Sequence, residues 1–111
     1  PRTMGKAKAM GASLFADKIT ADQADRWGLI WEAVPDDSFE QVWLSRASHL
    51  ANGPTVAYGY LKDALKSSFD NDLDSQLSLE AKLQNHCGNT RDFQEGVLAF
   101  LQKRHAKFEG R

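Results

Sequence analysis

Apolar residues return every three or four positions along most of this chain, the spacing of helices that bury one face. Met4, Ala7, Gly11, Leu14 and Phe15 predict a helix from Pro1 to Ala16. Pro1 would stand at or near its first position, where a missing N–H costs nothing. Gly5 and Gly11 would then lie inside it, each costing roughly 1 kcal/mol relative to alanine. Thr20 and Gln23 have the spacing of a capping box, which starts a helix of about two turns. Gly28 can take the left-handed conformation that ends it. Leu29, Ile30, Trp31, Ala33 and Val34 then predict a short extended run closed by Pro35, with Trp27 and Trp31 contributing to a core.

Beyond Pro35, Ser38 and Gln41 repeat the capping-box spacing ahead of a helix marked by Phe39, Val42, Trp43, Ala47, Leu50 and Ala51. Gly53 stops that helix and Pro54 opens the next, whose stripe is Ala57, Tyr60, Leu61, Ala64 and Leu65. The acidic run Asp70-Asn71-Asp72 invites a test as a calcium loop, which needs glycine at its sixth position and glutamate at its twelfth. Ser75 and Ala81 stand there, so the run predicts a turn in which Asp72 caps a helix from Leu73 to about Cys87. Leu73, Leu77 and Ala81 form one apolar line on that helix, and Leu79, Leu83 and Cys87 a second. Such a width suits self-association, or else a broad contact within the chain. Gly88-Asn89-Thr90 ends it and caps a last helix carrying Phe93, Val97, Phe100 and Leu101. Asp92 and Glu95 lie near its positive end, Lys103, Arg104 and His105 near its negative end. Residues 106–111 follow no pattern.

Composition narrows the function classes. With 111 residues the chain is at most one domain, and three Trp, six Phe and two Tyr are ample for a core. A net charge of −1, with acids and bases interleaved, argues against nonspecific nucleic-acid binding. No apolar run approaches the roughly 18 residues that mark a membrane span. Cys87 is the only cysteine, which excludes an intrachain disulfide and fits a reducing, cytoplasmic compartment. His86 and Cys87 are neighbours, and helical neighbours point about 100° apart, so they do not form a catalytic pair. His49 has no Cys or His at ligand spacing and reads as a surface or half-buried residue. Lys6 and Lys8 read as a solvated face before a phosphate site. Glu80 and Glu95 sit amid other charges and read as solvated. There is no glycine-rich phosphate loop, serine nucleophile elbow or metal-ligand cluster.

Two stretches resemble a known family. Ile19-Thr20-Ala21-Asp22-Gln23-Ala24, with Gly28-Leu29-Ile30 and Val34-Pro35, is similar to the segment leading into the C-terminal helices of crotonases, the enoyl-CoA hydratase/isomerase superfamily. Pro1-Arg2, Gly5-Lys6-Ala7-Lys8-Ala9-Met10-Gly11 resembles the helix that follows the β-rich core there. Asp92-Phe93-Gln94-Glu95-Gly96, Ala99-Phe100, Lys103-Arg104 and Phe108-Glu109-Gly110 resemble the superfamily's ending, although Ala106 stands where members often have proline. Within the superfamily, Trp27-Gly28-Leu29-Ile30-Trp31 looks most like the ring-epoxide isomerases of phenylacetate degradation.

The resemblance implies a mainly α chain that is the C-terminal helical segment of a crotonase α/β spiral fold. Residues 1–35 would pack on a missing β-rich core, and residues 36–111 would form a helical oligomerisation region. The parent would act on an acyl-CoA thioester without a covalently bound cofactor, and would assemble as a trimer or a pair of trimers. The resemblance places Phe100 and Lys103 near the CoA of a neighbouring subunit, an aromatic for adenine and an ammonium for phosphate, with Arg104 and Lys107 as weaker candidates. The alternative gives Phe100 to the core and Lys103 to helix-end electrostatics. The superfamily's oxyanion hole and proton-transfer carboxylates belong to its N-terminal part, so no catalytic residue is expected here and the piece alone should be inactive. A general enoyl-CoA hydratase fragment and a non-enzymatic helical interaction module are the competing readings.

Overall fold

A computed structural model describes all residues from Pro1 to Arg111. It contains six helices: α1 Lys6–Phe15, α2 Ala21–Arg26, α3 Phe39–Ala51, α4 Thr55–Ser67, α5 Leu73–Gly88 and α6 Arg91–Leu101. The chain divides into two compact units, Pro1–Trp43 and Leu44–Arg111. None of the helices is long and apolar enough to cross a membrane.

In the first unit, α1 begins later than expected. Gly5 has φ 82° and its amide donates to the Pro1 carbonyl at 3.1 Å. That backbone is not helical, so Gly5 precedes α1 instead of weakening its interior, and Pro1 belongs to a turn. The predicted stripe marks the helix but not its burial: Met4 and Gly11 are half-buried, whereas Leu14 and Phe15 stand in solvent.

The unit around α2 forms as its local chemistry dictates. The Thr20 amide donates to Gln23 Oε1 at 2.9 Å, and the Gln23 amide donates to Thr20 Oγ1 at 3.2 Å. At the other end Gly28, φ 72°, donates to the Asp25 carbonyl and Leu29 to the Ala24 carbonyl, each at 2.8 Å. This pair of bonds is a Schellman closure, which satisfies carbonyls the helix cannot. A side chain at Gly28 would also meet the Thr3 carbonyl, 3.4 Å away.

The extended run expected after Gly28 is absent as a strand. Residues 29–31 bend, and the Ala33 amide donates to Asp25 Oδ2 at 3.1 Å. A strand needs a ladder partner for its amides, and here a carboxylate takes one of them instead. Nor is Trp31 a core residue of this chain. It is 86% exposed, its indole N–H donating to Glu32 at 3.1 Å. Trp27 is half-buried beneath the Lys8 ammonium, 5.6 Å from the ring centroid. Lys8 therefore makes a cation–π contact where a solvated face was expected.

In the second unit, Gly53 and Pro54 separate α3 from α4, with Gly53 buried under the Tyr58 ring. Helix α4 packs on α5. Gln76 donates across to the Ala64 carbonyl at 3.2 Å, and Tyr60 stacks on His86 with centroids 5.6 Å apart. Asp72 caps α5 by accepting the Ser75 amide at 2.7 Å, and Thr90 caps α6 by accepting the Phe93 amide at 3.1 Å. Ahead of α3, in the first unit, the Ser38 hydroxyl instead turns back to the Pro35 carbonyl and Asp37, both at 3.2 Å.

The two apolar lines on α5 part company. Leu83 and Cys87 line a groove of about 530 Å³ against α4, while Leu73 is 72% exposed. Across the whole chain Ala99 is the one buried hydrophobic residue, and large apolar side chains lie open on every helix except α2.

Candidate functional site

The expected contact residues Phe100 and Lys103 lie at the C-terminal end of α6, where the chain turns back on itself. Lys103 has φ 53°, a left-handed conformation that a side chain makes unfavourable by about 1–2 kcal/mol. Its amide donates to the Phe100 carbonyl at 3.2 Å, and the Arg104 amide donates to the Ala99 carbonyl at 3.0 Å. This repeats the closure at Gly28, with lysine in the place where glycine is usual.

Phe100 is 83% exposed, so the core reading fails for this chain. Lys103 is also exposed and forms no ion pair. An apolar ring and a free ammonium therefore share one helix end. Negative helix-end charge favours the cation there, but it does not account for the left-handed backbone.

Arg104 is committed elsewhere. Its guanidinium grips Glu95 with both terminal nitrogens, at 2.6 and 2.8 Å, and donates further to Gln102 and to the His105 carbonyl. A planar fork of this kind matches a carboxylate bidentately. Glu95 also accepts the Lys107 amide at 2.8 Å, and the exposed Lys107 side chain adds a favourable charge near the same carboxylate. Glu95, expected to be solvated, thus clasps the tail from one and a half turns inside α6.

Asp92 makes the second clasp. It is 4% exposed and accepts the Glu109 and Gly110 amides at 2.7 and 2.9 Å, while its own amide donates to the Arg111 carbonyl at 3.0 Å. Gly96 leaves room for Phe108, whose Cε1 would lie 3.7 Å from a Cβ there. Gly110, φ 73°, lies against Thr55. The ending that reads as patternless is tied down residue by residue. The signal for it was the acid pair at 92 and 95 together with Phe108 and Gly110.

The clasp predicts a pH response. The Arg104 hydrogen bond, followed by the Lys107 amide, lowers the Glu95 pKa from 4.5 to about 2. A depressed folded-state pKa supplies stability that is complete above the unfolded value and is lost as pH falls toward the folded one. The tail should therefore hold at pH 5 and loosen between about 4.5 and 2, read from the Lys107 amide by NMR titration. Full release by pH 4.5 would contradict this linkage.

Glu80 accepts from Gln76 at 2.9 Å, Glu95 is clasped, and no cluster of His, Cys, Asp or Glu could hold a metal. His49 and His105 share a shallow hollow with Asn52, Tyr58 and Phe108, without a polar contact between them.

Residues 1–111 match the Enoyl-CoA hydratase/isomerase family over their full length. The chain belongs to that family. It is 54% identical over all its length to a "Probable enoyl-CoA hydratase" of Rhodobacter capsulatus, covering 43% of that relative. It is 42% identical to the 1,2-epoxyphenylacetyl-CoA isomerase of Escherichia coli K12, again over its whole length and 42% of the relative. A solved enoyl-CoA hydratase/isomerase-type structure from Mycobacterium abscessus superposes with a TM-score of 0.93 at 38% identity, covering the whole chain and 43% of its own. The chain thus spans less than half the length of these enoyl-CoA hydratase/isomerase relatives, and its helices are a helical segment of the crotonase fold.

Proposed function

We propose that this chain is the C-terminal helical part of an acyl-CoA isomerase or hydratase, in which it forms subunit contacts and one wall of the CoA site. The observation that carries the reading is the open Phe100 ring beside the unpaired, left-handed Lys103 at one helix end. Stacking on a base suits the first, and phosphate suits the second. The uncovered apolar faces support burial against more protein than the chain contains. Residues 1–35 would lie on the β-rich body, and residues 36–111 would meet other subunits in a trimer or pair of trimers. No catalytic group is assigned to the chain, which is inactive by itself.

The ring-epoxide of phenylacetyl-CoA is the substrate supported by the E. coli relative and by the Trp27-to-Trp31 run. The Rhodobacter relative favours hydration of a simple enoyl-CoA. Assaying the complete protein with both thioesters separates them: epoxide turnover supports isomerisation, and turnover of the enoyl-CoA alone overturns it. In the same assay Phe100→Ala should raise KM roughly five- to tenfold, the loss of a modest stacking contact, with kcat little changed. An unaltered KM would remove Phe100 from the site.

A further inference from the structure

Lys103 adopts a backbone conformation that its own side chain disfavours, and beyond the amide bond to the Phe100 carbonyl its side chain makes no contact that compensates for it. The residues on either side do. Gln102 ends α6 with its amide on the Leu98 carbonyl, and its side chain accepts from Arg104 Nε at 2.7 Å. Arg104, immediately after Lys103, is fixed to Glu95 by two guanidinium contacts, and the tail is fixed again by the Lys107 amide on the same carboxylate. Relaxing Lys103 to an ordinary helical or extended conformation would swing Arg104 off Glu95. A left-handed residue persists where its surroundings over-determine it.

We propose that Glu95 and Arg104 are positioning residues for substrate binding. Their fork locks the turn after α6 so that the Lys103 ammonium is held toward a phosphate of the CoA thioester. This rests on the CoA reading given above. The fork touches no ligand itself. It acts by holding the backbone from which the lysine stem projects in one conformation, so that less backbone freedom is lost when phosphate binds.

The test compares two substrates of the complete protein: the CoA thioester and the same acyl group on pantetheine, which lacks the phosphorylated nucleotide. Lys103→Ala should raise KM for the CoA ester roughly five- to tenfold with kcat unchanged, and leave the pantetheine ester untouched. Glu95→Gln should reproduce most of that change, and Arg104→Lys, which keeps the charge but loses the fork, should fall between. Glu95→Gln added to Lys103→Ala should change KM no further.

The outcomes are separable. A Lys103→Ala protein that keeps its preference for the CoA ester overturns the CoA reading and the positioning role with it. A shift on Lys103→Ala with none on Glu95→Gln or Arg104→Lys overturns the positioning role alone. Equal losses on both esters after Glu95→Gln would mean that the fork only maintains the fold, and also overturn it.

Discussion

Asp92→Ala is expected to free the tail and lower stability by about 3 kcal/mol, the two effects sharing one cause. The carboxylate is nearly inaccessible and takes two backbone amides, Glu109 and Gly110, at 2.7 and 2.9 Å. Hydrogen bonds to a charged group are worth about 1.5–3 kcal/mol each, and the two share an acceptor, so they do not simply add. The charge also lies in the first turn of α6, where the helix dipole favours it. Alanine removes all of this but leaves the Asp92 amide free to keep its bond to the Arg111 carbonyl. Asp92→Asn preserves the shape and one acceptor oxygen, and should lose about half as much. Hydrogen exchange distinguishes tail release from general loosening. The Glu109 and Gly110 amides should lose protection in Asp92→Ala while the amides within α4 and α5 keep most of theirs. Retained protection at both tail amides would show that the clasp is not what holds the ending.

What could be read from sequence was set by how far apart the partners lie along the chain. Thr20 with Gln23, Asp72 with Ser75 and Thr90 with Phe93 are partners three residues apart, so spacing alone finds them. Gly28 was legible because its closure uses carbonyls within the same short helix. The bonds from Asp92 to the tail cross 17 and 18 residues, and no local period announces them. They were visible only as a resemblance to a family motif whose physical purpose the letters do not state. Lys103 was legible as a cation near a helix end, but its left-handed backbone was not, since glycine is the residue that signals such a turn.

Burial failed differently. The stripes on α1 and α5 identified faces that seek cover, and Leu14, Phe15 and Leu73 remain open all the same. Periodicity reports which side of a helix is apolar. It carries no information on whether the covering surface belongs to the same chain. The strand expected at residues 29–34 failed for the related reason that extension is stable only where a neighbour accepts its amides. Trp31 was assigned to a core on its size and apolarity, and those properties say equally little about where the covering partner lies.

Gly53→Ala is expected to destabilise the second unit by about 1–3 kcal/mol, the usual cost of overpacking. The added methyl would overlap Tyr58 Oη and lie 2.6 and 2.7 Å from its Cζ and Cε2. The backbone does not require glycine, because Gly53 has no positive φ. The penalty is therefore steric and belongs to the pair. A ring cannot yield by a few tenths of an ångström at three atoms together; it has to turn out of its place as one body. Tyr58 lies in the first turn of α4 and lines both the groove toward α5 and the hollow beside His49, so its displacement disturbs both. The pairwise origin gives a sharp control. Tyr58→Phe removes only the hydroxyl and should rescue Gly53→Ala poorly, because Cζ and Cε2 still collide. Tyr58→Leu removes the ring and should make Gly53→Ala nearly neutral in the double variant. A double-mutant cycle by urea unfolding measures this coupling directly, and strictly additive losses for Gly53→Ala and Tyr58→Leu would refute the contact as the cause.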